Sequence, residues 1–197
     1  PATIDNDLGY TDYTIGFMTA LETVADAISK LRDTSSAHGR ANIVEVMGRN
    51  CGDIALYSGL AGGAETIFVP EELVNIDELV SKAISGIKRG KRHHIIVVAE
   101  GSTDTYKLRD VFEERTGIET RVTVLGHVQR GGTPTVFDRI LGSRMGYEAV
   151  VLLKDGESGL SLGMKANEIF KSDIEDALSK EKIFNSKMLD IARILSI

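Results

Sequence analysis

Short runs of polar residues hold the side chains best suited to chemistry. Thr3-Ile4-Asp5-Asn6-Asp7 sets two carboxylates two residues apart, so in an extended segment they face the same side. Such a pair can hold a divalent metal or act as a general base; the same spacing also fits an Asx-rich turn. Gly126-His127-Val128-Gln129-Arg130-Gly131-Gly132 places a histidine and an arginine among glycines. Backbone amides left open by glycine, beside an arginine fork, suit a phosphate. Met47-Gly48-Arg49 and Glu100-Gly101 each follow an apolar run; a carboxylate at Glu100 could accept bonds from sugar hydroxyls. Arg32, Arg40, Arg49, Arg121 and Arg130 all stand at expected element ends or loops, where each is equally read as a solvated ion-pair partner. The four histidines, His38, His93, His94 and His127, share no ligand spacing, which disfavours a metal site. Cys51 has no base nearby in sequence and reads as a buried, inert thiol.

The elements that must position these groups follow from periodicity. Ile15, Met18, Leu21, Val24, Ala25, Ile28 and Leu31 predict a long helix, with Thr11-Asp12 as its cap and an end near Arg32. Residues 33–39 read as a polar loop. Strands are expected at 43–47, 66–69, 94–99, 121–125 and 161–165. Helices are expected at 53–61, 76–87, 104–116, 138–153, 174–178 and 188–195. The basic run Lys88-Arg89-Gly90-Lys91-Arg92 suits a helix end and could also hold an anion. Strands alternating with helices imply an α/β fold with a largely parallel sheet, whose ligands lie beyond the carboxyl ends of the strands. The polar runs after the strands fall there.

Composition bounds the rest. The 197 residues carry 23 Lys plus Arg against 29 Asp plus Glu, a formal net charge of −6, which disfavours non-specific nucleic-acid binding. A hydrophobic fraction of 42% is enough for a sizeable core, and no apolar run approaches membrane-spanning length. One cysteine excludes an internal disulfide and fits a reducing compartment. No signal peptide is visible, and Pro1 leads into the carboxylate run as if from the middle of a longer protein. Neither a P-loop nor a G-x-G-x-x-G is present. The residues alone therefore support an α/β domain for a small phosphorylated, hydroxyl-rich ligand.

Taken in order, the motifs resemble a known family. Thr3–Asp7, Thr11–Phe17, Arg32-Asp33-Thr34, Glu45–Arg49, Ala61–Glu65, Ala99-Glu100-Gly101 and Leu125–Gly132 together resemble the ATP-dependent 6-phosphofructokinases of bacterial glycolysis. The match weakens after about Gly156. The resemblance implies a Rossmann-like, three-layer phosphofructokinase fold, incomplete at its amino terminus. Residues 1–130 would form the α/β domain that binds fructose 6-phosphate and effector. Residues 131–197 would form a helical return segment and carboxyl-terminal helices packing on the ATP domain. Asp5 would be the proton acceptor, with Thr3, Asp7 and Arg49 beside it. Thr3, Ile4, Asp5, Met47, Gly48, Arg49, Glu100, His127, Val128, Gln129 and Arg130 would line the sugar-phosphate site. Arg40 and Arg121 would reach the 6-phosphate from a neighbouring subunit. Arg32, Gly63, Ala64, Glu65, Arg89, Lys91, Arg92 and His93 would form an allosteric pocket for ADP and phosphoenolpyruvate, with Glu65 towards a bound magnesium. Mg2+, ATP as co-substrate, a homotetramer and a cytoplasmic location complete the expectation.

The departures are equally specific. The family's Gly-Gly-Asp-Gly-Ser motif is absent from these 197 residues, so the chain resembles the carboxyl-terminal part of the enzyme and alone should have little kinase activity. Ala2 stands where the ATP-dependent enzymes usually have Gly and pyrophosphate-dependent relatives Lys. Without that cation ATP is the expected donor. Two alternatives stay open: a pyrophosphate-dependent enzyme, and a non-catalytic sugar-phosphate or nucleotide-binding module.

Overall fold

A computed structural model describes residues 1–196. Its elements run α1 (Phe17–His38), β1 (Ala41–Val46), α2 (Asp53–Ala61), β2 (Thr66–Phe68), α3 (Ile76–Lys88), β3 (His94–Ala99), α4 (Thr105–Thr116) and β4 (Thr120–Val124). A 3-10 turn over Gly126–Arg130 leads to α5 (Val136–Lys154), β5 (Leu160–Lys165), β6 (Glu168–Asp173), α6 (Ile174–Ser179) and α7 (Ser186–Leu195). The main sheet is wholly parallel, in the order β2-β3-β1-β4.

Three layers result from the alternation of side chains along the strands. Ile95, Val97 and Ala99 join Val44 and Val46 on one face, against Phe17, Val24 and Ile28 of α1, Ile54 and Leu56 of α2, and Leu189 of α7. Ile96 and Val98 join Ile43 on the other, against Leu79, Val80 and Ala83 of α3 and Leu108 and Phe112 of α4. A strand buried on both faces reads as a continuous apolar run, which is how β3 appears in the sequence. The α/β architecture and the parallel sheet are as expected, and α5 with the β5–β6 hairpin adds a small third cluster around Leu141, Met145 and Met164.

Several local expectations are corrected. Thr11 and Asp12 do not cap α1. They pin the end of β5 instead: Met164 N–H donates to Thr11 Oγ1 at 2.9 Å and Ala166 N–H to Asp12 Oδ2 at 2.8 Å. The cap of α1 comes from Asp138 of α5. Its carboxylate accepts Gly16 N–H and Thr19 N–H, both at 2.8 Å, and the Thr19 hydroxyl at 2.5 Å. Residues 33–38 are the last turns of α1 rather than a loop, closed by Gly39 in the left-handed region. The Gly-rich stretch after β4 contains the 3-10 turn, and the strand at 160–165 has an antiparallel partner, β6, that periodicity did not reveal.

Candidate functional site

The registry of the sheet builds the site. Val46 pairs with Ala99 and Glu45 with Val124, so β1, β3 and β4 end level. The residues that follow, Met47–Arg49, Glu100 and Leu125–Arg130, are therefore delivered to one edge. Gly48 (φ 145°) and Arg49 (φ 56°) turn the chain back after β1. A Cβ on Gly48 would lie 2.3 Å from the carbonyl oxygen of Cys51, so no larger residue fits that turn. Glu100 Oε1 accepts the amides of Gly48 at 3.2 Å and Arg49 at 2.7 Å, which ties the end of β3 to the turn after β1. Gln129, 1% exposed, accepts Met47 N–H at 3.2 Å and donates to Gly126 O at 3.0 Å. Its side chain thereby fixes the Gly-rich turn to β1. His127, Val128 and Arg130 of the same turn are left exposed.

The carboxylate run reaches this edge from the amino terminus. It is not extended as the same-side spacing supposed, because Asn6 is left-handed (φ 53°). The turn nevertheless keeps the two carboxylates in electrostatic contact. Asp5 N–H donates to Thr3 Oγ1 at 3.2 Å, and the Thr14 hydroxyl donates to Thr3 O at 2.6 Å. Partial burial pushes the Asp5 carboxyl above its ordinary value; Asp7 and Glu100 add to the rise, and Arg49 and Arg130 oppose it. Asp5, Asp7, Arg49, Glu100 and Arg130 thus share one field. Ile4 and Arg130 line an open groove that continues along Thr19 and Gly132. A half-buried carboxylate lifted in this way, with arginines beside it, has the properties of a base next to an anion site.

Arg40 and Arg121 are not brought here. They stand at the opposite, amino-terminal end of β1 and β4, where both pair with Glu119, Arg40 Nε at 2.7 Å and Arg121 Nη2 at 2.5 Å. The remaining basic residues gather around Glu65, which precedes β2. Its Oε1 lies 3.0 Å from Lys91 Nζ and 3.9 Å from His93 Nε2, and its Oε2 accepts Ile95 N–H. His93 Nδ1 meets Ser36 Oγ at 3.0 Å. Arg32 donates to the carbonyls of Gly62 and Gly63, which places Gly63 and Ala64 in the same corner; Arg89 lines a cavity with Glu65 and Lys91, and Arg92 is exposed. Among the described residues no group of three or more His, Cys, Asp or Glu could hold a metal. A magnesium ion at Glu65 would fit only with a ligand's phosphate oxygens completing its shell. The Cys51 thiol is buried and pushed up to about 12, as an inert cysteine should be.

Three residues behind the carboxylate run escaped the sequence reading: Asn6, Asp53 and Lys182. Asn6, 2% exposed, donates from Nδ2 to Asp53 Oδ2 at 2.8 Å and accepts Thr14 N–H on Oδ1 at 3.0 Å. Asp53, in the first turn of α2 and 3% exposed, also pairs with Lys182 Nζ at 2.9 Å. The only sequence signal was an asparagine between two aspartates, a residue type that tolerates the left-handed region.

The family model described as Phosphofructokinase matches residues 1–153. The chain is 58% identical over 197 residues to the ATP-dependent 6-phosphofructokinase of Finegoldia magna and 60% identical to that of Alkaliphilus metalliredigens; both matches cover all of this chain and 62% of the relative. The chain thus spans about 62% of the length of these curated relatives. Phosphofructokinase from Saccharomyces cerevisiae superposes with a TM-score of 0.83 at 35% identity, over 98% of this chain and 26% of that one. A pyrophosphate-dependent phosphofructokinase from Marinobacter aquaeolei shares the fold, with a TM-score of 0.86 at 22% identity over 95% of this chain and 53% of that one.

Proposed function

The chain belongs to the phosphofructokinase family, and from that premise we propose that it supplies the sugar-phosphate half of an ATP-dependent 6-phosphofructokinase. The observation that carries this reading is the convergence of Asp5, Asp7, Arg49, Glu100 and Arg130 at the carboxyl edge of the sheet. In this reading Asp5 accepts the proton of the sugar 1-hydroxyl as that oxygen attacks the γ-phosphorus of ATP, and the bond from that phosphorus to the bridging oxygen breaks, releasing ADP. A carboxylate lifted above its ordinary value is a better proton acceptor than a free one. Arg49 and Thr3 face the phosphoryl group as charge spreads over its oxygens, and Asp7 supports Asp5. Glu100 uses one oxygen to hold the Gly48–Arg49 turn and offers the other to sugar hydroxyls. His127 and Arg130, exposed on the 3-10 turn, grip the 6-phosphate, with Met47 and the 126–130 backbone as the wall of the pocket. Mg2+ accompanies the nucleotide.

Arg40 and Arg121 are assigned to the 6-phosphate of a neighbouring subunit in a homotetramer. Their place at the far end of the sheet, paired only with the exposed Glu119 among the contacts described, supports a role outside their own chain's site. The corner formed by Arg32, Gly63, Ala64, Glu65, Arg89, Lys91, Arg92 and His93 is assigned to ADP and phosphoenolpyruvate, since it gathers cations around a single carboxylate. No helix among the described residues is long and apolar enough to cross a membrane.

The test is a coupled assay of the intact protein with fructose 6-phosphate, supplied in turn with MgATP and with magnesium pyrophosphate. Turnover with ATP and none with pyrophosphate is expected. Turnover with pyrophosphate alone would correct the donor. Saturable binding of the sugar phosphate with no turnover on either donor would leave a binding module.

A further inference from the structure

The carboxylate run is held from behind by a charged residue far along the chain. Asn6 sits between Asp5 and Asp7 in the left-handed region, so its conformation sets the direction in which both carboxylates leave the backbone. Every polar atom of its side chain is used. Nδ2 donates to Asp53 Oδ2 at 2.8 Å and to Asp12 O at 3.3 Å, while Oδ1 accepts Thr14 N–H at 3.0 Å. Only the amide orientation with Nδ2 towards Asp53 satisfies all of these partners. Asp53 is almost fully buried at the start of α2, and its charge is balanced by Lys182 Nζ at 2.9 Å. Lys182 lies in the segment between α6 and α7. That segment is pressed against the chain two residues beyond the run: a Cβ on Gly9 would fall 2.2 Å from Glu181 O and 2.5 Å from Lys180 O. No side chain larger than glycine's fits at that contact.

We propose that Asn6, Asp53 and Lys182 act as positioning residues for the phosphoryl-transfer step, a brace that fixes Asp5 and Asp7 without touching the substrate. This rests on the proposed kinase reading. An ion pair with one buried partner, here Asp53 against the half-buried Lys182, is a poor source of net stability, because desolvation offsets much of the attraction. Its value here is geometric. An asparagine alone could hold the left-handed turn, but a carboxylate locked between helix α2 and Lys182 fixes the asparagine itself. Misplacing a reacting group by about 1 Å costs roughly 10²-fold in rate, so a loose brace should be read in turnover rather than in binding.

The discriminating variants are Asn6→Gly, which keeps the left-handed backbone and deletes the brace, and Lys182→Met, which keeps the length of the side chain and deletes the charge. Each is assayed in the intact protein for kcat and KM with fructose 6-phosphate, beside thermal midpoint. The expected result is a fall in kcat of roughly 10- to 100-fold with KM changed less than about threefold, the size of loss that misorientation of a catalytic group produces. Asn6→Asp, which sets a second carboxylate against Asp53, should lose at least as much as Asn6→Gly. An unchanged kcat in both Asn6→Gly and Lys182→Met would overturn the proposal. So would a loss that simply tracks a lowered midpoint and vanishes on cooling, since that is a structural role. If the wild-type protein shows no turnover, the kinase reading fails independently. The brace is then read by carbon-13 NMR titration of Asp5: a displaced titration in Asn6→Gly upholds the brace, and an unmoved one rejects it.

Discussion

Asp5, the base of the proposed reaction, is a carboxylate whose surroundings work against its charge. Burial and the nearby Asp7 and Glu100 outweigh Arg49 and Arg130, so its carboxyl titrates above the ordinary 3.8. In the window between the unfolded and the raised folded value, the folded protein binds more protons than the unfolded chain. Stability therefore falls as pH rises through that window, and the loss persists at neutral pH. Asp5→Asn removes the buried charge. It should raise the thermal midpoint at pH 7, and the gain should close as pH falls to about 3, where both forms are neutral. The same variant should lower kcat by at least about 10²-fold, the contribution of a positioned base. A midpoint that drops at pH 7 would show that the carboxylate stabilises the fold rather than strains it. Arg49, Glu100 and Arg130 were legible in the sequence because each closes or follows an apolar strand, and Asp5 because a second carboxylate stands two residues away. Asn6, Asp53 and Lys182 were not. Their meaning depends on a contact between positions 47 and 129 residues apart, and no local pattern marks it.

Elements show the same division between local and distant causes. The apolar stripe of α1 and the strength of β3 are written in residue periods of about 3.6 and 2, so their existence could be read directly. The carboxyl end of α1 could not. Asp33-Thr34-Ser35-Ser36 is a poor helical sequence, yet Ser35 is buried, donates to Leu31 O at 2.7 Å and receives Asn42 Nδ2, while Ser36 meets His93. Tertiary bonds recruit the weak segment into the helix. The hairpin partner β6 went unseen because its turn is Ala166-Asn167, without glycine, and its two faces are both partly solvated. At the other end of α1, the cap comes from Asp138, 122 residues from Gly16. Asp138→Ala would strip partners from two first-turn amides and the Thr19 hydroxyl at once. A loss of about 2 kcal/mol is expected, the scale for removing a charged acceptor from half-buried donors. Urea unfolding measures it, and a loss below about 0.5 kcal/mol would mean that water replaces the cap without cost.

Across the whole molecule, stability should be distributed by how many faces each strand has covered. β3 is buried along its full length, paired on both edges and packed by helices on both faces. The β5–β6 hairpin has one partner per strand and rests on a cluster of only three fully buried side chains, Leu141, Met145 and Met164. It is tied to the site side of the molecule by Thr11 and Asp12. Opening of the hairpin therefore exposes little apolar surface and breaks few buried bonds, whereas freeing an amide of β3 requires both helical layers to separate. Native-state hydrogen exchange should show Ile95–Val98 protected at the level of global unfolding. The paired amides of Ser161 and Gly163 and of Phe170 and Ser172 should exchange through a smaller, local opening that is less sensitive to urea. Equal protection of the two sets, with the same urea dependence, would instead make the hairpin part of a single cooperative unit. In that case the contacts of Thr11 and Asp12 would transmit the stability of the main sheet, and the carboxylate run lying between the two would be clamped from both sides.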